Sequence, residues 1–139
     1  MDFDRCSEKN KNRVITASEN NMKFIIKNPN GKQVSKVTVD GCLINDHRER
    51  CYYLFEIEDP CTDVYYLELK GSNIDKAYSQ LKQTLGYCRN EHVGTKKLCH
   101  IVASRVPRSG SKNQVLKKRF QKETGSKLYI GTRIVTVSI

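Results

Sequence analysis

The chain has 139 residues and a formal net charge of +10, a length that suits one domain with a real core rather than two. No stretch is apolar for long enough to cross a bilayer. The charge is segregated: residues 1–70 hold eleven Lys and Arg against twelve Asp and Glu (−1), and residues 71–139 hold fourteen against three (+11), which points to a polyanionic partner, nucleic acid ahead of an anionic membrane.

Residues 1–13 are polar, with Phe3 and Cys6 as their sizeable apolar groups, and read as a frayed end or a first helix. Met22–Lys27 and Lys32–Val39 are β-prone runs flanking Asn28-Pro-Asn-Gly31, which predicts a hairpin. A polar loop, Asn45 to Arg50, leads to a strand over Cys51–Ile57, and Glu58–Thr62 is a turn. Val64-Tyr-Tyr-Leu-Glu-Leu-Lys70 then reads as an interior strand, rich in residues that suit a pleated, half-buried surface. Gly71 ends it, and Ser72 with Asp75 resembles a capping box. Ile74, Ala77, Tyr78, Leu81 and Leu85 form one helix face, with Gly86 as the stop. Leu98–Ser104 predicts a second buried strand, and Arg105 to Gly110 a loop. Ser111–Thr124 predicts a helix with Val115, Leu116 and Phe120 inward and Gly125 as terminator. Lys127–Ile130 and Arg133–Val137 complete the sheet. This order predicts a single domain over residues 1–139, of α/β class bordering on α+β, with a mixed central sheet flanked by helices.

Glu68 and Lys70 are the candidate chemistry. Two apart on a strand, they share a face, and a charge pair on an apolar strand costs desolvation unless compensated. A salt bridge at the strand end is the plainer account; a divalent metal on the carboxylate, with the lysine facing a phosphate or water, is the functional one.

The segments Cys51-Tyr-Tyr-Leu-Phe, Tyr65-Tyr-Leu-Glu-Leu-Lys-Gly71 and Ile74 to Leu81 together resemble the PD-(D/E)XK, restriction-endonuclease-like nuclease superfamily. The resemblance spans roughly residues 36–137 in element order, with its specific motifs in about forty positions. It implies a restriction-endonuclease-like core and metal-dependent phosphodiester hydrolysis, of DNA more than RNA, with magnesium or manganese as cofactor. Glu68 would be the metal-ligand carboxylate, Lys70 would act on the attacking water and the scissile phosphate, and Gln80, or else Gln83, would be the helix glutamine. One position departs from the family pattern. Tyr52 stands where the second acid belongs, and tyrosine is a poor magnesium ligand. Either Asp40, one strand earlier, supplies the second metal ligand, or Asp40 is a turn residue and the module binds nucleic acid or a partner protein without cutting.

Arg105, Arg108, Lys112, Lys117, Lys118, Arg119 and Lys122 are the expected nucleic-acid contacts, meeting phosphates rather than reading bases. A homodimer or a larger complex is compatible with this partner; a membrane is not expected. Cys42, His47, Cys51 and Cys61 have spacings open to zinc but no tight Cys-x-x-Cys pair. Cys88 with His92, and Cys99 with His100, lack the surroundings of a thiol catalyst. Tyr52, Tyr53, Tyr65 and Tyr66 read as core and strand residues before base-stacking ones. The polar, acidic start, Met1-Asp-Phe-Asp-Arg, is unlike a secretory signal, so a cytoplasmic location with all six cysteines reduced is expected.

Overall fold

The computed structural model describes residues 1–105 and 110–139. The chain opens with one helical turn, α1 (Phe3–Cys6), capped by Asp2, whose side chain accepts from the Arg5 N–H. An edge strand, β1 (Ser7–Asn10), follows. The first thirteen residues are therefore neither frayed nor a full helix. Pairing of β1 with β4 (Val34–Thr38) carries Cys6 to the turn beyond β4, where it is disulfide-bonded to Cys42 with Cα atoms 5.8 Å apart. This corrects the expectation of six reduced cysteines. Cys51, Cys61, Cys88 and Cys99 are free.

β2 (Val14–Glu19) and β3 (Met22–Lys27) form the first hairpin. Its turn is Asn20-Asn21, with φ of 46° and 67°, the left-handed pair that matches the twist of flanking strands. The hairpin expected around Asn28–Gly31 does not form. Asn28 is buried, and its side chain donates to the carbonyls of Asn12 and Lys32 and accepts from the Lys32 N–H. That fixes the segment as a corner, from which β4 leaves for the other sheet.

β5 (Tyr53–Ile57) and β6 (Asp63–Lys70) continue the meander, and α2 (Ile74–Tyr87) crosses over to β7 (Lys96–Ala103). Asn73, rather than Ser72, caps α2 by accepting from the Lys76 N–H at 3.0 Å. The second long helix is α3 (Gly110–Thr124), ended by Gly125 at φ 74°, and β8 (Lys127–Thr132) and β9 (Ile134–Ser138) close the chain. The fold is mixed α/β. A six-stranded sheet runs β1-β4-β5-β6-β7-β8, antiparallel as far as β6 and parallel across β6, β7 and β8. A second sheet runs β2-β3-β9, with β9 parallel to β3. So β9 does not complete the main sheet. Arg133, at φ 59°, turns the chain out of it, and Gly131 leaves the room: a Cβ there would lie 2.4 Å from Val135 Cγ2.

Both faces of the main sheet are covered. Leu54, Val64, Tyr66 and Ile101 pack on Ala77, Tyr78 and Leu81 of α2 and on Leu116 and Phe120 of α3. Phe55, Leu67, Leu69 and Val102 pack on Ile15, Ala17, Phe24 and Ile26 of the second sheet. Val115, expected inward, is 62% exposed, because Leu116 and Phe120 already define the buried stripe. Among the described residues no helix is long and apolar enough to cross a membrane.

Candidate functional site

β6 alternates between two cores. Tyr65, Leu67 and Leu69 face the second sheet, so Val64 and Tyr66 face the helices and Glu68 and Lys70 continue that face to the strand exit. There they line an open cleft of about 280 Å³. Asp40, from beyond β4, and Gln80, from α2, line the same cleft, whereas Gln83 opens onto the opposite end of the sheet. The structure thus brings Glu68, Lys70, Asp40 and Gln80 together and chooses Gln80 over Gln83.

Glu68 is fully buried. Its Oε1 accepts from the Tyr52 N–H at 3.0 Å; among the described residues its Oε2 has no hydrogen-bond partner, and neither does the buried Oε1 of Gln80. Burial pushes the Glu68 carboxyl up to about 8, and the charge of Asp40 adds to this. Lys70 and the Tyr52 N–H pull the other way without prevailing. At neutral pH the group is therefore mostly protonated. Lys70 is half-buried and makes no ion pair with a described residue.

The other cleft carboxylates have partners. Asp40 accepts from Arg50 Nε at 2.9 Å, and Arg50 also donates to the carbonyls of Asp46 and Arg48, which fixes its guanidinium. Glu49 accepts from Lys76 Nζ at 2.7 Å and Ser79 Oγ at 2.6 Å, and these two donors hold its carboxyl below the usual range. Sequence reasoning missed Glu49; the one signal was its place in the mixed-charge run Asp46-His-Arg-Glu-Arg50. Tyr52 meets Glu68 through its backbone, while its ring stacks on Tyr53, centroids 6.2 Å apart, and packs against the core under the second sheet. Two buried oxygens without donors, on Glu68 and Gln80, are ligands of the hard type that magnesium or manganese takes. They bring a single carboxylate, however, and among the described residues no three His, Cys, Asp or Glu converge as ligands. Asp40, a further carboxylate of the cleft, would have to leave Arg50 before it could join Glu68 and Gln80 on an ion.

The predicted phosphate contacts are divided. Arg105, Lys112, Lys118 and Lys122 are exposed and Lys117 is half-buried; Arg108 lies outside the described residues. Arg119 is engaged in helix packing: its guanidinium sits 4.5 Å from the centre of the Tyr78 ring and its Nε donates to Tyr78 Oη at 3.2 Å. Tyr78 in turn donates to Glu123, which also meets Lys82 at 3.3 Å, locking α2 to α3. The zinc reading fails at Cys42, whose thiol is in the disulfide. Cys88 is buried and its thiol pushed up to about 12, and His92 is held between Tyr66 Oη and Glu56, so no activated thiol stands there. No family model, characterised protein or solved structure matches the chain.

Proposed function

We propose that this chain is a nucleic-acid-binding module on a restriction-endonuclease-like scaffold, holding phosphodiesters (DNA ahead of RNA) without hydrolysing them. The single observation that carries the loss of chemistry is the state of the cleft carboxylates. Asp40 is bound to Arg50, Glu49 to Lys76 and Ser79, and Glu68 is buried with the Tyr52 backbone N–H on its Oε1. Binding is supported by the basic half of the chain, +11 over residues 71–139. A cytoplasmic location, expected from the polar, acidic start Met1-Asp-Phe-Asp-Arg, is at odds with the Cys6–Cys42 disulfide.

A second reading, a metal-dependent nuclease, is favoured by the two unpartnered oxygens of Glu68 and Gln80. Asp40 would join them by releasing Arg50, and Lys70 would steady the scissile phosphate. The metal would supply phosphoryl polarisation and an activated water. The test is a DNA-cleavage assay with magnesium and with manganese, beside a binding assay. The proposal expects salt-dependent binding and no cleavage. Cleavage by the wild type that disappears in Glu68→Gln would establish the nuclease instead.

A further inference from the structure

At the other end of the central strands lies a groove of about 720 Å³, formed where α2 and α3 end and β7 and β8 begin. β6 and β7 run parallel, with Asp63 beside Lys96 and Glu68 beside Ile101, so this groove and Glu68 lie roughly 17 Å apart along the strands. Five cations line the groove, Lys82, Arg89, Lys96, Lys97 and Lys127, against one acid, Glu123. Lys82 is paired with Glu123, and Lys97 donates to the carbonyls of His92 and Thr95. Arg89, Lys96 and Lys127 are exposed and have no ion-pair partner among the described residues.

The plainer account is that these cations offset the negative ends of two helices. Each helix end is worth about half a charge, so two account for about one. The lining side chains carry a net +4, which leaves a surplus of about three positive charges facing solvent. An anionic bilayer is a poor match. The apolar lining residues, Leu85 and Leu98, are each only 8% exposed, so the groove offers no side chain to insert among lipids. Resting on the nucleic-acid reading above, we infer that one sugar-phosphate strand lies in this groove, its phosphates on Arg89, Lys96 and Lys127, remote from the nuclease-like cleft. The contact reads charge rather than sequence.

The test is fluorescence anisotropy with a fluorescein-labelled 20-nucleotide DNA, single-stranded and duplex, between 50 and 200 mM KCl. The groove variant is Arg89→Gln, Lys96→Gln, Lys127→Gln. A control variant, Lys9→Gln, Lys11→Gln, Lys27→Gln, removes the same charge from exposed positions elsewhere. The groove variant should bind at least about tenfold more weakly at 100 mM salt, and its plot of log K against log salt should be shallower by about 2. The control should lose far less, and both should melt within a few degrees of wild type. Equal losses in the two variants would reduce the effect to net charge and overturn the groove. A lowered melting point with unchanged affinity would return these cations to the helix dipoles and also overturn it. Binding to phosphatidylglycerol vesicles that depends on the groove, with DNA binding unaffected, would overturn it in favour of a membrane. Failure of the wild type to bind DNA at 50 mM salt removes the nucleic-acid reading itself, whereas wild-type binding with an unaffected groove variant removes only the groove.

Discussion

Glu68→Gln tests the electrostatics of the cleft without any assumption about substrate. A glutamate has an ordinary value of 4.5, and burial raises Glu68 to about 8 in the folded protein. The folded state therefore holds a proton on Glu68 that the unfolded chain releases over this interval. The group's stabilising contribution is complete below pH 4.5 and is lost as pH rises through about 8. At about 1.4 kcal/mol per unit the whole span is at most about 5 kcal/mol, of which roughly 3 falls between pH 5 and pH 8. Glutamine keeps the shape and the hydrogen bond from Tyr52 but does not titrate. Urea unfolding of both proteins at pH 5, 6, 7 and 8 gives the difference, in which the contributions common to the two proteins cancel. Glu68→Gln should gain on the wild type steadily with pH and be the more stable protein at pH 8. A difference that changes by less than about 1 kcal/mol over this range would refute the burial argument. Magnesium offers a second readout. If Glu68 and Gln80 held the ion, 10 mM magnesium would stabilise the wild type at pH 8 and leave the variant unmoved. The binding-module proposal expects no such stabilisation.

Three further outcomes are expected. If the wild type does not cleave DNA, Tyr52→Asp should confer magnesium- or manganese-dependent nicking, and its failure to do so in a folded variant would count against an absent acid at position 52 as the cause. Gly131→Ala should destabilise by about 1–3 kcal/mol, because its Cβ would lie 2.4 Å from Val135 Cγ2, and Val135→Ala in the same chain should recover part of the loss in urea unfolding. Reduction of Cys6–Cys42, or Cys6→Ser, should lower unfolding free energy by about 2–4 kcal/mol, since it frees a loop of sequence separation 36; an unchanged urea midpoint under dithiothreitol would show that the link adds nothing to stability.

The site was legible where local pattern and function coincide. Val64 to Lys70 reads as an interior strand because β-prone residues fill both of its faces, and α2 reads as its partner because Ile74, Ala77, Tyr78, Leu81 and Leu85 share one stripe. Glu68, Lys70 and Gln80 follow from those two elements. What escaped was long-range. Val14–Glu19 alternates buried and exposed positions as a half-buried strand should, yet its polar Thr16, Ser18 and Glu19 hid it among loop-like residues. The destination of β9 depends on Arg133 taking a left-handed turn, which arginine does not advertise. Arg119 looked like a free phosphate contact because the Tyr78 ring that engages it lies 41 residues away. The Cys6–Cys42 pair likewise requires β1 to lie beside β4, a pairing without a local signature.

Position 52 ties the second sheet to the chemistry of the cleft. Strand alternation would point a side chain there toward the helix face, with Leu54 and Glu56, and so toward Glu68. The Tyr52 ring instead lies beside Tyr53 against the core formed with the second sheet. That route exists only because Phe24, Ile15 and their neighbours build an apolar layer for the ring to join. The tyrosine at this position therefore brings no carboxylate to the cleft, and Glu68 Oε1 has a backbone N–H as its one donor among the described residues. The Glu68 carboxyl is then buried beside an Asp40 already bound to Arg50, and desolvation raises it above its ordinary value. On the proposed binding role, the cleft keeps its packed layers without needing an ion, and the groove cations Arg89, Lys96 and Lys127 stand at the far end of the same strands.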